Sequence, residues 1–247
     1  MKIDSVKVTH HGRTVDGDFY QPEGVERFPA VVVSHGFNGH KSSFGWLAAY
    51  LAENGIGAVS ITFCGGGSRD ESGFPTTSMS VQTEKEDVLA VAAWLRSHPQ
   101  VDESRVYLFG ESQGGMASVL AAAEQPELAH GLILLYPALC IPDDWRKLFP
   151  VREEIPETIP FWNLLLGKAY ALAAHDLDVF SVLPGYHGPV LLMHGEKDTV
   201  VNVSYAKRAA ELYDDVDLHL FPEEGHGFKA EASNEMKKLT LAFINKH

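Results

Sequence analysis

Ser112 stands in Gly110-Glu111-Ser112-Gln113-Gly114, a Gly-x-Ser-x-Gly pattern whose chemistry would be nucleophilic attack on a carbonyl carbon. A serine hydroxyl is a poor nucleophile without a base, so the pattern has meaning only beside a histidine and an orienting acid. His226, in Glu224-Gly225-His226-Gly227-Phe228, is the expected base. Asp198, in His194-Gly195-Glu196-Lys197-Asp198, is expected to fix the imidazole tautomer and stabilise the imidazolium, with Glu196 as the alternative acid. The oxyanion would be received by the backbone N–H groups of Phe37, after Ser34-His35-Gly36, and of Gln113.

These residues need a scaffold that brings four distant segments to one edge. Arg105–Phe109 reads as a strand and Met116–Ala123 as a helix, which puts Ser112 on a strained strand-to-helix turn with positive φ. Gly110, Gly114 and Gly115 supply the small neighbours such a turn requires. Further buried-strand candidates are Pro29–Ser34, Gly57–Thr62, Val106–Gly110, Leu132–Tyr136, Val190–His194 and Leu218–Phe221, short and often β-branched. Residues 2–9 and 13–20 alternate polar and apolar around a His-Gly turn, as an opening antiparallel hairpin would, with His10 and His11 solvated at its tip.

Helices fit between the strands. Val81–His98 places Val81, Val88, Val91, Ala92 and Leu95 on one stripe, with Glu84, Lys85 and Asp87 expected to turn elsewhere. Ser112–Glu124, Tyr205–Tyr213 and Ala230–Ile244 complete the set. The alternation predicts an α/β fold with a mostly parallel central sheet and helices on both faces. About fifty residues between Tyr136 and Val190 break the alternation and carry Pro137, Pro142, Pro150, Pro156 and Pro160. They are expected to form a small cap, about 138–182, inserted into a single domain spanning 1–247. Trp145 and Trp162 of this segment could stack on an aromatic acyl group or anchor the cap. Asp143 and Asp144 could accept a phenolic hydroxyl or form a solvated turn, and His40 could line the pocket.

Composition excludes several classes. The formal charge of −13 argues against nucleic acid, which needs clustered Lys and Arg, and against anionic membrane surfaces. No apolar tract is long enough to span a membrane. The start, Met1 to Lys7, lacks a signal-like apolar stretch, so a cytoplasmic location is expected. Cys64 and Cys140 are too few for a disulfide framework and are expected as buried or half-buried thiols. No cluster with metal-ligand spacing occurs, and Gly65-Gly66-Gly67 lacks the Lys-Ser/Thr of a phosphate loop, so neither metal nor cofactor is expected. His35 and His194, at strand ends, are read as structural. The expected partner is a small ester, and self-association as a homodimer stays open.

Ser34-His35-Gly36-Phe37-Asn38-Gly39-His40, the Gly110–Gly115 turn, His194 to Val201 and Ile155-Pro156-Glu157-Thr158-Ile159-Pro160-Phe161 together resemble the α/β-hydrolase superfamily, in particular bacterial cinnamoyl (feruloyl) esterases. The resemblance covers essentially the full length. It implies an α/β-hydrolase fold and hydrolysis of hydroxycinnamate esters by a Ser-Asp-His triad, which maps onto Ser112, Asp198 and His226. Glu111 departs from the pattern, holding a place where histidine is common, as does the loop Phe63–Ser68. Cys140–Val151 is the weakest match. A general short-chain carboxylesterase or acylglycerol lipase, a peptidase of the same fold, and a binding protein on the same scaffold are the alternatives.

Overall fold

The opening runs pair antiparallel as β1 (Lys2–His10) and β2 (Arg13–Gln21). They meet at His11 and Gly12, both with positive φ (42° and 74°), the conformation a tight hairpin with right-handed strand twist requires. The computed structural model describes all of residues 1–247. Strands β3 (Phe28–Ser34), β4 (Gly57–Thr62), β5 (Val101–Glu111) and β6 (Gly131–Leu135) follow. Then come the short pair β7 (Thr158–Phe161) and β8 (Leu164–Gly167), and finally β9 (Val190–Gly195) and β10 (Val216–Phe221). Eight strands form one sheet in the order β1-β2-β4-β3-β5-β6-β9-β10, parallel from β4 onward.

The helices are α1 (Gly45–Glu53), α2 (Val81–Ser97), α3 (Gln113–Glu124), α4 (Ile141–Leu148), α5 (Lys168–His175), α6 (Val179–Val182), α7 (Ser204–Ala210) and α8 (Ala230–Lys246). Along β3, Ala30 and Val32 pack with α2 and α3, while Val31 and Val33 pack with α1 and α8. That strict alternation, with no polar face, is what a strand covered on both sides demands. The chain has the α/β-hydrolase fold. No helix is long and apolar enough to cross a membrane.

Helix α2 corrects one expectation. Glu84 and Asp87 do not turn away from the core; both are buried. Glu84 lies three residues after Val81 and four before Val88, so it belongs to the apolar stripe by position. Asp87 accepts the Cys64 N–H at 2.8 Å, and His10 Nε2 lies 2.8 Å from its other oxygen. His10 is therefore tied to this carboxylate rather than solvated.

Between β6 and β9 the chain leaves the sheet and builds α4, the β7–β8 hairpin, α5 and α6. Trp162 and Asn163 turn the hairpin with φ of 40° and 63°. The indole of Trp162 is thereby presented at the tip, 58% exposed.

Candidate active site

Ser112 ends the straight run of β5 and precedes α3 with φ 52° and ψ −115°. A non-glycine residue there is strained and persists only where its surroundings hold it. Its N–H donates to Leu135 O at 3.0 Å and its carbonyl accepts from Ala138 N–H at 2.8 Å, which bolts the turn to the end of β6. The crowding explains the glycines: a Cβ on Gly110 would strike the carbonyl of Gly114, and one on Gly114 the carbonyl of His35.

The last two strands deliver the partners. His226, on the loop after β10, places Nε2 at 2.9 Å from Ser112 Oγ and Nδ1 at 2.8 Å from Asp198 Oδ2. Asp198, on the loop after β9, accepts the N–H groups of Val200 and Val201 on its other oxygen, each at 2.8 Å. Burial alone would raise its pKa, but hydrogen bonds from His194, His226 and the Val201 N–H outweigh it and hold the carboxyl well below the usual range. An anionic Asp198 keeps the proton on Nδ1 and leaves Nε2 to accept from the serine, so the trio can generate a serine nucleophile. Glu196, the alternative acid, turns instead toward Lys207, at 3.6 Å. The Tyr136 ring lies against the imidazole, centroids 4.6 Å apart.

Phe37 and Gln113 flank Ser112 in the same pocket. The Phe37 N–H donates to no protein group, and Gln113 begins α3, where first-turn N–H groups have no partner inside the helix. Two free donors and a helix N-terminus beside the hydroxyl suit developing negative charge. His35 is structural: its Nδ1–H donates to Gly36 O at 2.7 Å and its Nε2 accepts the Phe63 N–H at 3.2 Å. Burial pushes its pKa down to about 4, in keeping with that neutral tautomer. His194 is likewise buried, its Nε2–H donating to Val201 O at 2.9 Å.

A pocket of about 280 Å³ opens beside Ser112. Its wall is largely apolar and comes mainly from the insertion, through Ile141, Trp145, Leu148, Phe161 and Trp162, with Asp144 and Tyr170 as polar groups. Trp145 is buried among the rings of Phe149, Phe161 and Tyr170, and Trp162 stacks on Phe161 with centroids 5.6 Å apart. Thus Trp145 and Trp162 do reach the pocket. His40 and Asp143 do not. His40 caps the short 3₁₀ turn 41–44 through Nδ1, which accepts the Ser42 N–H at 3.1 Å. Asp143 faces a separate depression, accepting from Arg146 at 2.9 Å and from the Tyr205 hydroxyl at 2.8 Å.

Sequence reasoning missed a buried chain behind the nucleophile. The Tyr170 hydroxyl donates to Gln113 Oε1 at 2.5 Å, and the Gln113 amide donates to both oxygens of Glu84, at 2.8 and 2.9 Å. Burial pushes the Glu84 carboxyl up to about 8. Both cysteines are free and buried, and no group of three or more His, Cys, Asp or Glu side chains stands close enough to hold a metal.

With this geometry, known proteins give context. A model of the prolyl oligopeptidase family matches residues 42–247. An uncharacterised protein of Mycobacterium tuberculosis is 27% identical over 205 residues, 83% of this chain and 65% of that protein. Cutinase 2 of Thermobifida cellulosilytica is 26% identical over 169 residues, 62% of each chain. The chain thus spans about 65% or less of the length of these curated relatives. Among solved structures, ferulic acid-bound Est1E from Butyrivibrio proteoclasticus superposes with a TM-score of 0.86 at 24% identity, covering 96% of this chain and 98% of that one.

Proposed function

Since the chain belongs to the prolyl oligopeptidase family, we propose that it is a serine hydrolase of carboxylic esters, acting through an acyl-enzyme on hydroxycinnamate-type esters. The observation that carries this reading is the aromatic pocket opening on Ser112, whose hydroxyl is already hydrogen-bonded to His226. Trp145, Phe161 and Trp162 offer ring faces to a planar acyl group, and Asp144 offers a hydrogen-bond acceptor for a phenol. Structural likeness to an esterase that binds ferulic acid supports the same acyl class.

His226 takes the Ser112 proton as the oxygen attacks the ester carbonyl, and the Phe37 and Gln113 N–H groups hold the oxyanion. The alcohol departs with that proton from Nε2, and water then repeats the sequence to free the acid. The family match favours a second reading, in which the same serine cleaves a peptide bond. Methyl ferulate, p-nitrophenyl esters of rising chain length and an aminoacyl amide, each assayed with the purified protein and with Ser112→Ala, separate the two. The ester reading expects methyl ferulate to lead, with kcat falling roughly 10⁴- to 10⁶-fold in the variant. Preferential amide cleavage, or a variant within about tenfold of the parent, would overturn it.

A further inference from the structure

Ser112 lies at the junction of two cavities of opposite character. The larger, under the insertion, is walled by aromatic and aliphatic side chains, and no atom of His226 lines it. The smaller, about 150 Å³, also borders the nucleophile and is bounded by Gly36, Ser43, Glu111 and His226. Phe37, Ser112 and Trp162 border both.

Proton bookkeeping orients an ester across this junction. The bond from Ser112 Oγ to the acyl carbon forms as the bond from that carbon to the alkoxy oxygen breaks. The proton that Nε2 took from Ser112 returns to the alkoxy oxygen, which must therefore lie on the His226 side. Only the smaller cavity satisfies that, leaving the acyl group to the apolar one. A volume of 150 Å³ has room for an alcohol of a few carbon atoms.

Glu111 gives this second cavity its chemistry. Its carboxylate accepts the Gly36 N–H at 2.5 Å, and it is the one carboxylate on the cavity wall. Arg69, a nearby cation, is engaged with Ser42 and does not line the cavity. An anionic alcohol would meet like charge in a part-buried site, whereas a neutral hydroxyl could donate to a remaining carboxylate lone pair.

Resting on the ester-hydrolase reading, the geometry points to an alcohol subsite in which Glu111 selects short, neutral, hydroxyl-bearing alcohols and rejects carboxylate-bearing ones. The test compares the 2-hydroxyethyl and carboxymethyl esters of one well-accepted acid, in wild type and in Glu111→Gln, whose amide oxygen can still accept the Gly36 N–H. Wild type should prefer the hydroxyethyl ester at least about tenfold in kcat/KM, and the variant should bring the ratio within about threefold of unity. A ratio near unity in wild type, or one that Glu111→Gln leaves unchanged, overturns the subsite. A second measurement needs no variant: added ethylene glycol should intercept the wild-type acyl-enzyme as an ester, and glycolate at equal concentration should not. Equal interception by both would also overturn it. Loss of all ester turnover in wild type would instead bring down the hydrolase reading, and the subsite with it.

Discussion

Gln113 donates its side-chain amide to both oxygens of Glu84, 2.8 and 2.9 Å away, while its backbone opens α3 directly after Ser112. One residue therefore joins the core of α2 to the turn that presents the nucleophile. Tyr170, bonded to the same amide at 2.5 Å, extends the link to α5 in the insertion. The relation makes a buried carboxyl part of the support for the site, and it has a titration signature.

Glu84 has an ordinary pKa of 4.5, and burial raises it to about 8 in the folded protein. Between those values the folded state keeps a proton that the unfolded chain has lost, so stability falls as pH rises through that window. Glu84→Gln should remove this slope. Urea unfolding across pH 5 to 8 should show the variant gaining on wild type as pH rises, by on the order of a few kcal/mol at the upper end. Parallel curves at every pH would contradict a proton held by Glu84.

Asp198→Asn should preserve the fold, because the amide oxygen can still accept the Val200 and Val201 N–H groups. It should nonetheless lower kcat by about 10⁴, since the amide favours the wrong imidazole tautomer. Steady-state ester kinetics measure this directly, and a near-normal rate would show that His226 draws its orientation from elsewhere.

Trp162 is 58% exposed and stacks on Phe161, so its truncation should cost little stability. Trp162→Ala should raise KM for an aromatic-acyl ester by about 2- to 10-fold while leaving a short acetyl ester unaffected. Equal losses on both substrates would mean that the indole does not meet the acyl ring.

Gly114→Ala should be costly in stability, since the new Cβ would run into the carbonyls of Ser34 and His35. A loss of about 1–3 kcal/mol is expected from chemical denaturation. An unaltered midpoint would mean that the turn relaxes without resistance.

Most of the sheet was legible because its strands are short, β-branched and uninterrupted, and β4 begins and ends where the sequence places it, at Gly57 and Thr62. The spatial meeting of Ser112, Asp198 and His226 was legible for a related reason: each follows a recognisable strand. Individual polar side chains on helices were harder. Ile141, Asp144, Trp145 and Leu148 recur at helical spacing, so position alone turns Asp144, not Asp143, into the pocket. Glu84 carries the same signal between Val81 and Val88. In both helices a charged residue in register with apolar neighbours marks a structural or binding role, whereas reading by polarity sends it to solvent. His40 misleads differently, because a capping histidine and a pocket histidine leave the same trace in sequence.

The stretch between β6 and β9 departs from one strand and returns to its immediate neighbour in the sheet, and it contributes no member of the Ser112–His226–Asp198 trio. The trio and most of the lining of the apolar pocket therefore sit on separable lengths of polypeptide. Exchanging residues 138–182 for a counterpart of different lining would amount to refitting the reaction chamber while its machinery stays mounted. The seams to match in such a graft include those where Tyr170 meets Gln113, Leu165 meets Thr76 and Asp143 meets Tyr205.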